Sequence, residues 1–148
     1  MSDDLLDQAT AVVHSLIPVL GRMGLRMVDV GPGRAAAEVP FEGNANHIGT
    51  MYAGVLFSVA EMLGGVLAQA TFDGAAYAPI VKGADIRFLR PARTSVVART
   101  ALDEDAVARV TAEADERGKA DYVLETEVVD AEGTVVATLR GDYQLRKR

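Results

Sequence analysis

From Ile48 to Thr71 the only charged side chain is Glu61, and apolar residues fall on every face of a 3.6-residue period. This pattern predicts a long helix over about residues 50–72, enclosed on all sides. A second helix is expected over about 3–20, where Leu5, Leu6, Ala9, Val12, Val13, Leu16 and Ile17 share one face. Acids occupy its first turn, where the helix dipole favours them, and Pro18 and Gly21 weaken its end. Leu25 to Val30 and Arg34 to Pro40 read as strands joined by the turn Gly31-Pro32-Gly33. Phe41 to His47 is rich in turn formers and reads as a loop into the central helix.

Beyond Phe72 the pair Asp73-Gly74 turns the chain into an extended run from Tyr77 to Leu89, with a bulge expected at Gly83 and an end at Pro91. Ser95 to Leu102 is strand-like. Asp103 to Gly118 mixes helix formers with Val107, Val110 and Thr111, and is expected to be a short helix or turn. Asp121 to Val129 and Thr134 to Leu145 form a hairpin about Asp130-Ala-Glu-Gly133. Strands on both sides of one enclosed helix define an α+β domain, with a mainly antiparallel sheet curled around that helix. One sheet cannot cover a helix that is apolar all round, so a second copy of the chain is expected to supply the remaining cover.

The length, 148 residues, suits one domain spanning 1–148. The central run is long enough to cross a bilayer. Glu61 at its middle, its many small residues and the lack of flanking basic clusters argue for burial in protein instead. There is no cysteine, and the two histidines, His14 and His47, are far apart, so neither thiol chemistry nor a metal site is expected. The start of the chain has no export pattern, and a cytoplasmic protein is the expectation. A net charge of −6 disfavours nucleic acid as a partner. Lys82, Arg87, Arg90, Arg93 and Arg99 nevertheless cluster, and read either as a solvated strand edge or as a docking patch for a phosphorylated cofactor.

The segment Asn46-His-Ile-Gly-Thr-Met-Tyr-Ala-Gly54, with Glu61 seven residues later, resembles the signature of hotdog-fold acyl-CoA thioesterases of the phenylacetate-pathway and 4-hydroxybenzoyl-CoA type. Phe88-Leu-Arg-Pro91 resembles that family's aromatic-x-x-Pro strand end. The resemblance implies a hotdog fold and hydrolysis of a small or medium acyl thioester, carried by CoA or an acyl-carrier protein, without a cofactor. It implies that Glu61 is the catalytic carboxylate, acting as general base or nucleophile, that Asn46 orients water or the carbonyl, and that the Ala53 N–H polarises the thioester carbonyl. Tyr52-Ala53-Gly54 stands where His-Gly-Gly is usual, which leaves Tyr52 as either a substrate contact or a core aromatic.

Ala53 and Glu61 lie eight residues apart, about 12 Å along a helix, whereas a reacting carbonyl lies about 3 Å from its donors and close to its base. Glu61 of one subunit is therefore expected to work with Ala53 of the other in a homodimer, which stands alone or pairs into a dimer of dimers. Lys82 is read as outward-facing, as a partner of Glu61 or as a ligand contact. The spacing His47, Gly54, Glu61 also resembles hotdog β-hydroxyacyl thioester dehydratases, though their proline-rich loop is missing. A third reading is a hotdog module that binds acyl-CoA without turnover.

Overall fold

The computed structural model describes residues 1–148. The chain runs α1 (Asp3–Leu16), α2 (Pro18–Arg22), β1 (Arg26–Gly31), β2 (Arg34–Val39), α3 (Ala53–Glu61), α4 (Leu63–Thr71), β3 (Tyr77–Phe88), β4 (Val96–Ala101), α5 (Glu104–Arg117), β5 (Lys119–Asp130) and β6 (Val135–Lys147). The six strands form one sheet in the order β1-β2-β4-β5-β6-β3, antiparallel at each pairing. The expected α+β architecture, a sheet around a central helical rod, is what the chain adopts. The bulge lies in β3 between Val81 and Gly83, as the glycine suggested.

Three expectations are corrected. The first helix is interrupted at Ile17, whose φ of −132° and ψ of 81° leave the helical region, so that Pro18 begins a new turn. The central helix starts at Ala53 rather than near residue 50, because Asn46 to Thr50 closes a turn of its own, and it is divided at Met62. Met62 keeps near-helical angles and its N–H bonds the Ser58 carbonyl, so α3 and α4 follow one another as a rod. Third, Asp103 to Gly118 holds a full 14-residue helix, α5. Asp103 Oδ1 accepts from the Ala106 N–H at 2.7 Å, Glu104 and Asp105 meet the positive end of the dipole, and Gly118 closes the helix with φ of 81°. Val110 and Ala114, one turn apart, carry its buried stripe.

The core is the layer between the sheet and α3/α4. Ala120, Tyr122, Leu124, Thr126 and Val128 point into it from β5, alternating with exposed neighbours. Val59, Leu63 and Leu67 meet that face from the rod and are fully enclosed, each contributing about 1.5–3 kcal/mol by burial. Ala53–Thr71 has the length and hydropathy of a membrane span, yet this chain uses it as a core rod. His14 bonds the Leu25 carbonyl through Nε2 at 2.7 Å and ties α1 to the start of the sheet.

Candidate active site

Within one chain the sheet covers only part of the central rod, the incomplete cover expected of a single sheet. Ala53, Phe57, Glu61, Gly65 and Gln69, each four residues after the last, form a stripe that the sheet leaves uncovered. Glu61 sits at its middle, half-buried between apolar neighbours, and desolvation raises its pKa above the ordinary carboxylate range. No cation is paired with it. Beneath it the Tyr143 hydroxyl donates to the Glu61 main-chain carbonyl at 3.3 Å, at the junction of α3 and α4. Burial pushes the Tyr143 phenol up to about 12, with the Glu61 charge adding to the effect.

Sequence reasoning missed Tyr143. Its ring needs two glycines: a Cβ on Gly64 would lie 2.2 Å from it, and one on Gly141 2.3 Å. Gly64 inside an apolar helix and Gly141 inside a strand are both disfavoured locally, and together they mark the slot. Tyr122 stacks on Tyr143 with ring centroids 5.6 Å apart, its hydroxyl buried without a partner.

At the start of α3 no side chain caps the helix, and the Ala53 and Gly54 amides have no internal acceptor. Ala53 opens onto a recess of about 250 Å³ shared with Asn46, Leu56, Phe88, Arg90 and Pro91. Asn46 lies in a turn ahead of α3, whose N-cap position is Tyr52. Its Oδ1 accepts from the Ile48 and Thr50 N–H groups, both at 3.1 Å, and its Nδ2 donates to Thr50 Oγ1 at 2.9 Å. These bonds close the 46–50 turn, and the Met51 N–H, bonded to the Ala92 carbonyl at 2.8 Å, fixes that turn against the strand end at Pro91.

Tyr52 is exposed rather than a core aromatic, with its ring over Gly54 Cα, where a Cβ would lie 2.5 Å from it. His47 is exposed in an adjoining hollow with Tyr52 and Val55, which Asn46 also borders. Lys82 faces outward and pairs with Asp121 at 3.8 Å, not with Glu61. It lines another recess, near Tyr122 and Arg109. The structure thus brings Asn46 and Ala53 together at one recess that Gly54 does not line, places Glu61 eight residues beyond Ala53 along the same rod, and leaves Lys82 apart.

Helical rod, antiparallel sheet and connection order define a hotdog fold. More narrowly, the chain belongs to the family described as Domain of unknown function (DUF4442), which matches residues 7–145. It is similar to a protein of unknown function from Pseudomonas aeruginosa, described as a probable thioesterase, at 42% identity, with 96% of this chain and 95% of that chain covered and a TM-score of 0.92. A protein of unknown function from Chlorobaculum tepidum shares the fold at 19% identity and a TM-score of 0.82, covering 99% of this chain and 96% of that one. So does a thioesterase from Haemophilus influenzae, at 15% identity and a TM-score of 0.76, covering 96% of this chain and 90% of that one. No curated protein matches the chain.

Proposed function

We propose that the protein is an acyl-CoA thioesterase working as a homodimer, with two composite sites. The observation that carries this reading is the uncovered stripe: the rod's single carboxylate, its proton affinity raised by burial, shares that face with the free amide of Ala53. The similarity to a probable thioesterase at 42% identity points the same way. The long edge strand β3 offers the contact. Its outer edge is unpaired, and Ile80, Val81 and Phe88 are exposed along it. An antiparallel pairing of two β3 edges sets the Pro79 end of one strand beside the Phe88 end of the other. Phe88 borders the Ala53 recess, so each recess comes to lie against the rod of the partner subunit, beside its Glu61.

In such a site the Ala53 N–H, strengthened by the helix dipole, binds the thioester oxygen as negative charge develops on it. Glu61 from the other subunit takes a proton from water. The hydroxide attacks the carbonyl carbon, the C–S bond breaks, and the proton passes to the departing thiolate. Asn46 holds the turn that forms the recess wall and retains one N–H for substrate. Arg90 at the rim, free of any ion pair, suits the phosphates of CoA. His47 lies outside the Ala53 recess, which favours hydrolysis over dehydration.

Thiol release from a panel of acyl-CoAs tests the reading. Glu61→Gln should lose at least about a hundredfold in turnover, the scale of general-base catalysis. A variant that hydrolyses every substrate at the wild-type rate would remove Glu61 from the chemistry. Saturable acyl-CoA binding by calorimetry with no thiol release would leave a binding module, and hydration of a 2-enoyl thioester would identify a dehydratase.

A further inference from the structure

An apolar groove of about 460 Å³ runs between α1 and α4, bordered by Val12, Leu16, Met62, Gly65, Val66 and Pro79. Gln69 is the one polar side chain on its wall. The α1 side is left unusually bare for a helix packed on a core: Leu16 is 76% exposed and Val12 57%. Glu61 does not itself line the groove, but Met62, which follows it directly, and Gly65, one helical turn beyond it on the same stripe, both do, so the groove passes beside the carboxylate's place on the rod.

Gly65 distinguishes this groove from a bare apolar patch. A glycine within a helix is unfavourable, and where the fold requires one, a neighbour occupies the space of its Cβ. Gly64 obeys this, because Tyr143 fills that space. A Cβ on Gly65 would meet nothing within 4 Å in this chain. Its missing side chain widens the groove one helical turn from Glu61.

We propose that this groove holds the acyl chain of the substrate, and that the substrate class is a thioester of a straight aliphatic acid of medium length. This rests on the thioesterase reading above. The β3 pairing proposed there sets Pro79, on the wall of the groove, beside the partner strand's Phe88 end, so the groove continues from the composite site. A thioester held at the partner subunit's Ala53 passes its carbonyl to Glu61 and extends its tail over Gly65 toward α1. A methylene occupies about the volume of a water molecule in the liquid, roughly 30 Å³, so the groove accepts a chain on the order of ten carbons, allowing for its open mouth. A helical partner segment is the weaker occupant, because the groove is a concave slot that passes beside the carboxylate's place on the rod. An aromatic acid would fill only its first part.

The test uses saturated acyl-CoAs from acetyl to palmitoyl with the wild-type protein and with Gly65→Leu, whose side chain points into the groove and whose backbone stays helical. A second arm titrates both proteins with cis-parinaric acid and follows its fluorescence. With the wild type, KM should fall about three- to fourfold per added methylene and level off near ten carbons. With Gly65→Leu, the loss of kcat/KM should grow with chain length, and parinaric acid should bind at least tenfold more weakly. A flat chain-length profile overturns the proposal. So does a Gly65→Leu loss equal at all lengths together with a monomeric variant by light scattering, which would make the groove an interface between copies. If no acyl-CoA is hydrolysed, the thioesterase reading fails alone and the fatty-acid arm decides. Parinaric binding weakened by Gly65→Leu then supports the groove, and binding absent or unchanged overturns it.

Discussion

Strands β5 and β3 are both 12 residues long and belong to the same sheet, yet they are buried in opposite ways. β5 lies between β4 and β6 and alternates cleanly, with Ala120, Tyr122, Leu124 and Val128 inward and Asp121, Glu125 and Glu127 outward. β3 is paired on one side only, and residues 81–89 are exposed along most of their length despite Val81, Phe88 and Leu89. One strand has finished its packing within the chain. The other presents apolar side chains and an open row of backbone groups, and the Ala53-to-Gln69 stripe on the rod is likewise left uncovered. The difference separates what folding needs from what assembly and chemistry need.

Matched truncation and charge insertion would sharpen that contrast most. Leu124→Ala in β5 opens a cavity in a side chain only 1% exposed and should cost about 2–5 kcal/mol of stability, measured by urea denaturation. Val81→Asp in β3 alters a side chain already 47% exposed and should change the stability of the isolated fold by no more than about 0.5 kcal/mol. It should nevertheless shift sedimentation from dimer to monomer and take thiol release with it. Equal unfolding costs at the two positions would mean that β3 contributes to the fold as fully as β5 does, and the contrast would fail.

The division also explains what could be read from the amino-acid order alone. Period-2 alternation in residues 120–128 and the all-apolar run around Glu61 each report burial against a neighbour, so sheet, rod and fold were legible. Asn46, Ala53 and Glu61 were singled out through the resemblance of their segment to a family signature, and spacing added only that Ala53 and Glu61 of one chain stand too far apart to meet at one carbonyl. Tyr143 was not, because its slot depends on Gly64 and Gly141, residues 77 positions apart that only the tertiary fold brings together. The division at Met62 was equally hidden, as no proline marks it. The full length of α5 was obscured because β-branched Val107, Val110 and Thr111 argue against helix locally, while the capping by Asp103 and Gly118 and the burial of Val110 outweigh them.

Within the open region, Asn46 and His47 are sequence neighbours with different environments, and exchanging each for alanine separates wall from surface. Asn46→Ala breaks three hydrogen bonds that close the 46–50 turn and should cost roughly tenfold in kcat/KM, at about 1–1.5 kcal/mol. His47→Ala removes an exposed ring with no bonded partner and should change turnover by less than about twofold, within the usual range of surface substitutions. The reverse order in parallel thiol-release assays would move the chemistry to the histidine.

The smallest effect concerns stability rather than rate, and its sign follows from the burial of Glu61. Its carboxyl has a higher pKa in the folded chain than in the unfolded one, because desolvation penalises the charged form. Below the unfolded value near 4.5 the group is protonated in both states and the penalty is absent. As pH rises through the interval up to the folded value, the folded state holds the proton that the unfolded state has released, so stability falls across that window and then levels off. Asp121 works in the opposite direction, its pKa lowered chiefly by the Gln144 hydrogen bond and further by Lys82, but it is common to both proteins and cancels when wild type and Glu61→Gln are compared. The glutamine variant keeps a polar side chain of the same shape and cannot ionise. The difference in melting temperature, variant minus wild type, should therefore increase with pH from about 4.5 upward and then become constant. Parallel profiles over the whole range would mean that the carboxylate is as well solvated in the folded protein as in the unfolded chain, and the stripe around it would then be ordinary surface.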